Sequence, residues 1–255
     1  MLMAERRRRI LDSVRSRRAV SIRELVDLLE TSEITVRRDL RAMAADGLLR
    51  RTHGGAILPA DLAYEPTYTE KSLVAAREKE TIAARAAGLV EPGDSILLGP
   101  GTTTLALAIG LARMEELSVV TNSLLVAQAF MNAPGVDVLM TGGTLRRSIH
   151  ALVGPATEQA FAEVRATKAF ISGNGLTADR GLTTPNLLSA AADRALAAAA
   201  RHVVVLADYT KIGVETMFQT VPCERIGTLV TDSNAEGSEL RAIRDAGVQV
   251  LVAHA

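Results

Sequence analysis

From Ser72 onward, seven short apolar runs recur between helical stretches, and this alternation narrows the possible folds more than any other feature. The runs are 95–98 (SILL), 117–121 (LSVVT), 136–141 (VDVLMT), 168–172 (KAFIS), 202–207 (HVVVLA), 226–231 (IGTLVT) and 248–253 (VQVLVA). Helical stretches are expected near 74–90, 103–113, 123–132, 155–165, 187–200 and 236–246. Apolar runs spaced by helices describe a mostly parallel sheet covered on both faces. In such sheets ligands bind beyond the carboxyl ends of the strands. The segments that follow the runs are Gly99-Pro-Gly-Thr-Thr-Thr104, Thr121-Asn122-Ser123, Thr141-Gly142-Gly143-Thr144, Gly173-Asn174-Gly175 and Asp208-Tyr-Thr-Lys211. Each alone is ordinary β-to-α punctuation. At one sheet edge, backbone amides at helix starts, threonine hydroxyls and a lysine would together accept a phosphate or carboxylate.

The first 58 residues read differently. Ile10, Leu11 and Val14 repeat at helical spacing behind four arginines, so a helix is expected over 4–17. Ser21-Ile-Arg-Glu24 is a capping box that opens a short helix over 22–30, with Ile22, Leu25, Val26 and Leu29 facing inward. Ser32 caps a third helix that should end at Gly47. On it Ile34, Leu40 and Met43 are expected to share the buried side, leaving Thr35, Arg37, Arg38 and Arg41 polar. Taken alone, a basic helix of this kind is as often a solvated surface helix. A leading helix and two short helices joined by a tight turn, at about 21–40, describe a helix-turn-helix, whose second member enters the DNA major groove. Beyond it, "LLRRTHGGAIL" suggests a β-hairpin wing with Leu48-Leu49 and Ala56-Ile57 in its strands. Arg50, Arg51 and His53 would then face phosphate or a minor groove, although a lone turn histidine is ordinarily only a surface residue.

Charge supports this division. Formal net charge is zero, yet residues 1–58 carry 13 Lys/Arg against 8 Asp/Glu, and the remaining residues carry 16 against 21. A basic head on an acidic body fits a polyanion-binding module joined to another function. The head has no aromatic residue, which argues against stacking on single-stranded nucleic acid. Cys223 is the sole cysteine, so no internal disulfide or multi-cysteine zinc site is expected. No apolar run has signal-peptide or membrane-span length, and a cytoplasmic location is expected. Residues 59–71, with Pro59 and Pro66, read as a linker between a head at 1–58 and a body at 72–255.

The stretch "SIRELVDLLETSEITVRRDLRAMAADGLLRRTHGGA" resembles the winged helix-turn-helix of the DeoR family of bacterial transcription regulators. The marks are "S-x-x-T-[IV]-R-R-D-L" at 32–40, "G-L-[LI]-x-R" at 47–51 and "H-G-G-A" at 53–56. The body resembles the sensor domain of the same family through "G-T-T" at 101–103, "V-V-T-N-S" at 119–123, "G-G" at 142–143, "L-V-G-P" at 152–155 and "A-D-x-x-K" at 207–211. The resemblance implies an α/β chain, with a winged helix-turn-helix followed by a Rossmann-like sensor domain similar to ribose-5-phosphate isomerases and coenzyme A transferases. It implies a DNA face at or near Ser32, Thr35, Arg37, Arg38, Arg41, Arg50, Arg51 and His53. It also implies an effector site at Gly101, Thr102, Thr103, Asn122, Gly142, Gly143, Lys211 and Lys79, for a phosphorylated sugar or related metabolite.

Two departures from the family pattern bear on the effector. The family commonly has Asp two residues before the "G-T-T" glycine, where this chain has Gly99. It commonly has an acidic residue and a lysine after "G-L-T-T", where this chain runs Leu188-Ser-Ala-Ala-Ala-Asp193-Arg194. The expectation is a sequence-specific regulator, a repressor of carbohydrate genes that binds double-stranded DNA as a homo-oligomer (dimer or tetramer), without cofactor or metal. The competing reading is a sugar-phosphate isomerase or transferase with a fused DNA-binding head. Asp39 is the odd residue of the basic helix, and it is expected to orient an arginine or face the core.

Overall fold

The computed structural model describes residues 3–17, 19–45, 48–52, 54–57, 62 and 65–254, which form two compact units divided between Tyr64 and Glu65. Among the described residues no helix is long and apolar enough to cross a membrane.

The first unit contains α1 (Met3–Arg17), β1 (Ala19–Ser21), α2 (Ile22–Leu29), α3 (Glu33–Ala45), β2 (Arg50–Thr52) and β3 (Gly55–Ile57). Ser21 caps α2 as the sequence predicts, accepting from the Glu24 amide while the Glu24 carboxylate accepts from the Ser21 amide. Glu30 then takes a left-handed conformation (φ 48°), and this turns the chain into α3. The Ser32 hydroxyl accepts from the Thr35 amide at the start of α3, and the Leu48 amide donates to the Met43 carbonyl at its end. Gly47 lies outside the described residues. The core joins Ile10, Val14, Val20, Leu25, Leu29, Val36, Leu40, Met43 and Leu49.

Two expectations for this unit are corrected. Ile34 is 80% exposed, and Val36 takes the buried place. Positions 36, 40 and 43 follow the 3.6-residue period, which carries position 34 to the opposite side. The wing strand is Arg50–Thr52 rather than Leu48-Leu49, because Leu49 is drawn into the core before pairing begins. The three strands are antiparallel in the order β1-β3-β2. A Cβ on Gly55 would lie 2.0 Å from the Val20 carbonyl oxygen, so only glycine permits that close approach of β3 to β1.

The second unit opens with α4 (Tyr68–Ser72) and α5 (Ala76–Ala87). It continues through β4 (Ser95–Leu98), α6 (Thr102–Leu111), β5 (Leu117–Thr121), α7 (Leu124–Ala129), β6 (Val136–Met140), β7 (Thr144–Arg146) and β8 (Ala151–Val153). It ends with α8 (Pro155–Ala162), β9 (Ala166–Ile171), β10 (Gly175–Thr177), β11 (Gly181–Thr184), α9 (Leu187–Ala198), β12 (Ala200–Leu206), β13 (Phe218–Val221), β14 (Thr228–Asp232), α10 (Ser238–Asp245) and β15 (Gln249–Ala253). All seven apolar runs become strands of one parallel sheet, ordered β15-β14-β12-β9-β4-β5-β6. Separate cores fill its two faces, one around Phe161, Leu182 and Leu196, the other around Ile82, Leu107 and Phe130.

From β4 the chain winds outward through β5 and β6, then returns to β9 on the other side of β4 and winds the opposite way. The β4/β9 boundary is therefore a topological switch point, where a crevice opens at the strand ends. Residues 65–71 belong to this second unit, not to a linker. Thr67 caps α4 with a capping box to Glu70, and Tyr68 packs on His150 at a ring separation of 5.2 Å.

Candidate functional site

α3 separates its residues cleanly by face. Val36, Asp39, Leu40 and Met43 are buried, and Ile34, Arg37, Arg38 and Arg41 are exposed, spaced by three or four residues. Ser32 and Thr35 lie at the exposed N-terminal end, their hydroxyls 2.9 Å apart. The Glu33 carboxylate pairs with Arg37 at 2.7 Å, a solvated contact one helical turn long. Asp39 resolves the puzzle of an acid in a basic helix: its buried carboxylate pairs with Arg6 of α1, with Arg7 at 3.9 Å. That hydrogen-bonded pair holds the Arg6 guanidinium above its ordinary pKa and ties α3 to α1. Arg50 and Arg51 supply the backbone of β2, and His53 lies outside the described residues.

In the second unit a cleft opens at the β4/β9 switch point. Gly101 ends the β4 turn and caps α6 without any side-chain hydrogen bond, so the first amides of α6 are left for another acceptor. A Cβ on Gly101 would lie 2.3 Å from the Ser172 hydroxyl, so glycine lets the β4 and β9 turns close on each other. Thr102 and Thr103 follow it in the lining. After β5, buried Asn122 donates to the Leu152 carbonyl at 2.8 Å, and its Oδ1 has no partner among the described residues. After β9, Asn174 Oδ1 accepts from Thr184 and, at 3.4 Å, from Lys71 Nζ. After β12 come Asp208, held by the Thr210 hydroxyl and amide, and Lys211.

Three lysines gather here. Lys79, 5% exposed, donates to the carbonyls of Lys71 and Val74 (2.5 Å to the latter) and so fixes the end of α4. Burial lowers its pKa to about 8 against the attraction of Asp208. Burial, and then Lys211, likewise lower Lys71 to about 8. Glu65 is engaged by Arg146. Asp193 of α9 is raised to about 7 by burial, with Lys71 opposing.

A model of the DeoR-like helix-turn-helix domain matches residues 6–61, and one of the DeoR C-terminal sensor domain matches residues 74–233. The chain belongs to the DeoR family of transcriptional regulators. The uncharacterized HTH-type transcriptional regulator YgbI of Escherichia coli strain K12 is 35% identical over 99% of both chains. The lactose phosphotransferase system repressor of Lactococcus lactis is 39% identical over 66% of this chain and 68% of its own. The ribose 5-phosphate isomerase A of Methanocaldococcus jannaschii aligns with a TM-score of 0.41 at 17% identity over 54% of each chain, too distant a likeness to carry a functional argument.

In this DeoR-family regulator the cleft brings together Gly101, Thr102, Thr103, Asn122, Lys211 and Lys79. Gly142 and Gly143 are not among its lining residues. They take positive φ (70° and 118°), and a Cβ on Gly143 would lie 2.2 Å from the Thr157 hydroxyl, so their glycine character serves the turn into β7. Sequence reasoning missed Glu65, Tyr68, Lys71, Ser189 and Asp193 in the lining. The first three were hidden in a stretch that reads as linker. The last two stand in the 188–194 segment that departs from the family pattern, but only the packing of α9 places them in the cleft.

Proposed function

We propose that this regulator is a repressor of carbohydrate-metabolism genes, released from its operator by a phosphorylated sugar or polyol bound in the second-unit cleft. The observation that carries this reading is the cleft itself, where uncapped α6 amides and Lys211 meet at the switch point beside unpartnered acceptors. An anion is favoured at such a helix start, and hydroxyl donors satisfy the acceptors. The lactose phosphotransferase system repressor among its relatives agrees with this assignment. The DNA face is the exposed side of α3, with Ser32, Thr35, Arg37, Arg38 and Arg41, extended by Arg50, Arg51 and His53 of the wing. Arginine on guanine edges contributes about 1–3 kcal/mol of discrimination per bidentate pair, and arginine on phosphate adds salt-dependent affinity. Residues 1–58 thus serve operator binding, and the body from Glu65 serves sensing.

An effector shifts a regulator only through unequal affinity for its states. The cleft wall includes Glu65, Tyr68 and Lys71, which follow the DNA-binding unit directly in sequence, so a ligand that orders them acts on the chain leading to the head. We infer a cytoplasmic homo-oligomer, dimer or tetramer, since symmetric assembly reads paired half-sites. The exposed Leu139 and Met140 on edge strand β6 favour assembly. We also infer that the cleft binds without turnover, as expected of a sensor domain in a family of transcriptional regulators.

The test is fluorescence anisotropy on the promoter upstream of the gene, with and without a panel of phosphorylated sugars and polyols, beside thermal shift and light scattering. Release of DNA by a compound that also raises the melting temperature is expected. Specific binding unaffected by every compound on the panel, or rapid turnover of one of them, overturns the reading.

A further inference from the structure

Six carboxylate and ammonium groups line the cleft: Glu65, Lys71, Lys79, Asp193, Asp208 and Lys211. Four are already engaged: Glu65 by Arg146, Asp208 by Thr210, Lys79 by two carbonyls, and Lys71 by Asn174. The other two, Asp193 and Lys211, hold no side-chain hydrogen bond or ion pair among the described residues. Asp193 is 6% exposed. A carboxylate so deeply buried is costly unless something donates to it. Its sequence neighbour Arg194 is committed elsewhere, donating to the Gln219 carbonyl at 2.9 Å. Ser189, one turn earlier on α9, lines the cleft beside it. Asn122 Oδ1 is a second buried acceptor without a partner. Gly99 brings no side chain to the cleft, and a Cβ there would face Leu196 of α9 at 3.4 Å.

We propose that Asp193 determines which ligand the cleft accepts, by taking hydrogen bonds from hydroxyls of a phosphorylated polyol whose anionic group lies toward Lys211 and α6. The proposal rests on the effector reading above and deepens it. A ligand with only an anion satisfies Lys211 and leaves two buried acceptors bare. A neutral polyol satisfies the acceptors and leaves the cation bare. One molecule carrying both groups completes the site. A hydroxyl donated to a charged acceptor is among the stronger hydrogen bonds, and leaving such a group unpaired carries a large penalty.

The experiment compares inorganic phosphate, glycerol 3-phosphate and a set of hexose 6-phosphates by isothermal titration on the full-length protein and its Asp193→Asn and Lys211→Ala variants. For the wild type, at least one hydroxylated phosphate should bind more tightly than inorganic phosphate. Asp193→Asn should erase roughly ten- to hundredfold of that preference while inorganic phosphate binds no more weakly than before. Lys211→Ala should weaken both classes. Asp193→Ser, which also removes the charge, provides the same comparison if the Asn variant does not fold. Full retention of the preference without the carboxylate overturns the proposal. A wild type that binds phosphate but gains nothing from hydroxyls overturns it and leaves the anion site standing. A wild type that binds neither class overturns the effector reading as well.

Discussion

On α3, Arg37, Arg38 and Arg41 stand in solvent, whereas in the cleft Lys79 is buried and Lys71 is half-buried. Both surfaces suit phosphate-bearing ligands, yet their charges differ in kind. An exposed guanidinium keeps its charge at any working pH and is attenuated mainly by salt. A buried ammonium has lost hydration, so its charge depends on pH and on what fills the site. The first arrangement suits a long uniform polyanion approached from outside. The second suits one small molecule of matching shape and charge. The head also has a buried charge, the Arg6–Asp39 pair, but that one is structural and lies under the surface that α3 presents.

The largest expected effect tests that distinction. Asp39→Ala leaves Arg6 buried without its carboxylate, which should cost about 3–5 kcal/mol and unfold the head while the body remains folded. Two separate calorimetric transitions, with only the lower one shifted, are the expected result. An unchanged head transition would mean that the Arg6 contact contributes little.

Next in size is the loss of operator affinity. Arg37→Ala and Arg38→Ala should each cost about 1–3 kcal/mol if they read base edges. If an arginine instead touches phosphate, its loss lowers the slope of log affinity against log salt by about one. Arg37 also sheds its pairing with Glu33, so Arg38→Ala is the cleaner variant. Unchanged affinity and slope in both variants would remove α3 from the interface.

The cleft should respond to pH where the head responds to salt. Lys71 and Lys79 hold their protons only below about 8, so affinity for a phosphorylated effector should fall as pH rises through that value. On the acid side Asp193 takes up its proton near 7 and offers a weaker, uncharged acceptor, so affinity should also fall there, reinforced by phosphate protonation near pH ~6. The groups that set these limits are Lys211, Glu65 and Arg194 around Lys71 and Asp193, and Asp208, Lys211 and Glu78 around Lys79. The sign for stability is separate. Lysines with lowered folded pKa bind fewer protons than in the unfolded chain, so the empty body gains stability from them as pH rises above about 8 toward 10.5. Titration of effector affinity from pH 6 to 9.5, beside operator affinity over the same range, checks this. A flat effector profile would contradict the buried-charge account.

How much of this was legible in the sequence follows the same division. All seven central strands can be read directly, because a buried parallel strand is a continuous apolar run. The short antiparallel strands β7, β8, β10, β11 and β13 give no such run and went unread, although β8 and the β9–β10 turn help wall the cleft. Backbone motifs such as Gly101-Thr102-Thr103 mark their position through local turn chemistry. Asp193 and Lys71 do not, since only tertiary packing sends an α9 side chain and an α4 side chain into one cleft. Glycine pairs mislead in the other direction. Gly142-Gly143 looks like a phosphate loop, but Thr157 and positive φ account for it.

The smallest predicted effect concerns Ile34, which an apolar-residue rule places in the core and helical geometry places outside. At 80% exposure it shares a stripe with Arg37, Arg38 and Arg41, with Thr35 beside it near the N-terminal end of α3. A single exposed apolar side chain needs no special account on a general surface. On the face proposed to meet DNA bases it would have a specific one, since apolar groups pack on the thymine methyl in the major groove. Ile34→Ala should therefore leave folding untouched and weaken the preferred operator by about 1 kcal/mol or less, the scale of a lost methylene contact. Ile34→Thr, which keeps a methyl, should recover part of the loss. Replacing each thymine of the operator by uracil in turn removes the methyl from the other side. At one position that change should cost the wild type affinity and cost Ile34→Ala nothing further, because the two truncations remove the same contact. Additive losses at every thymine would place Ile34 against the backbone, and the only sequence readers left on α3 would be polar.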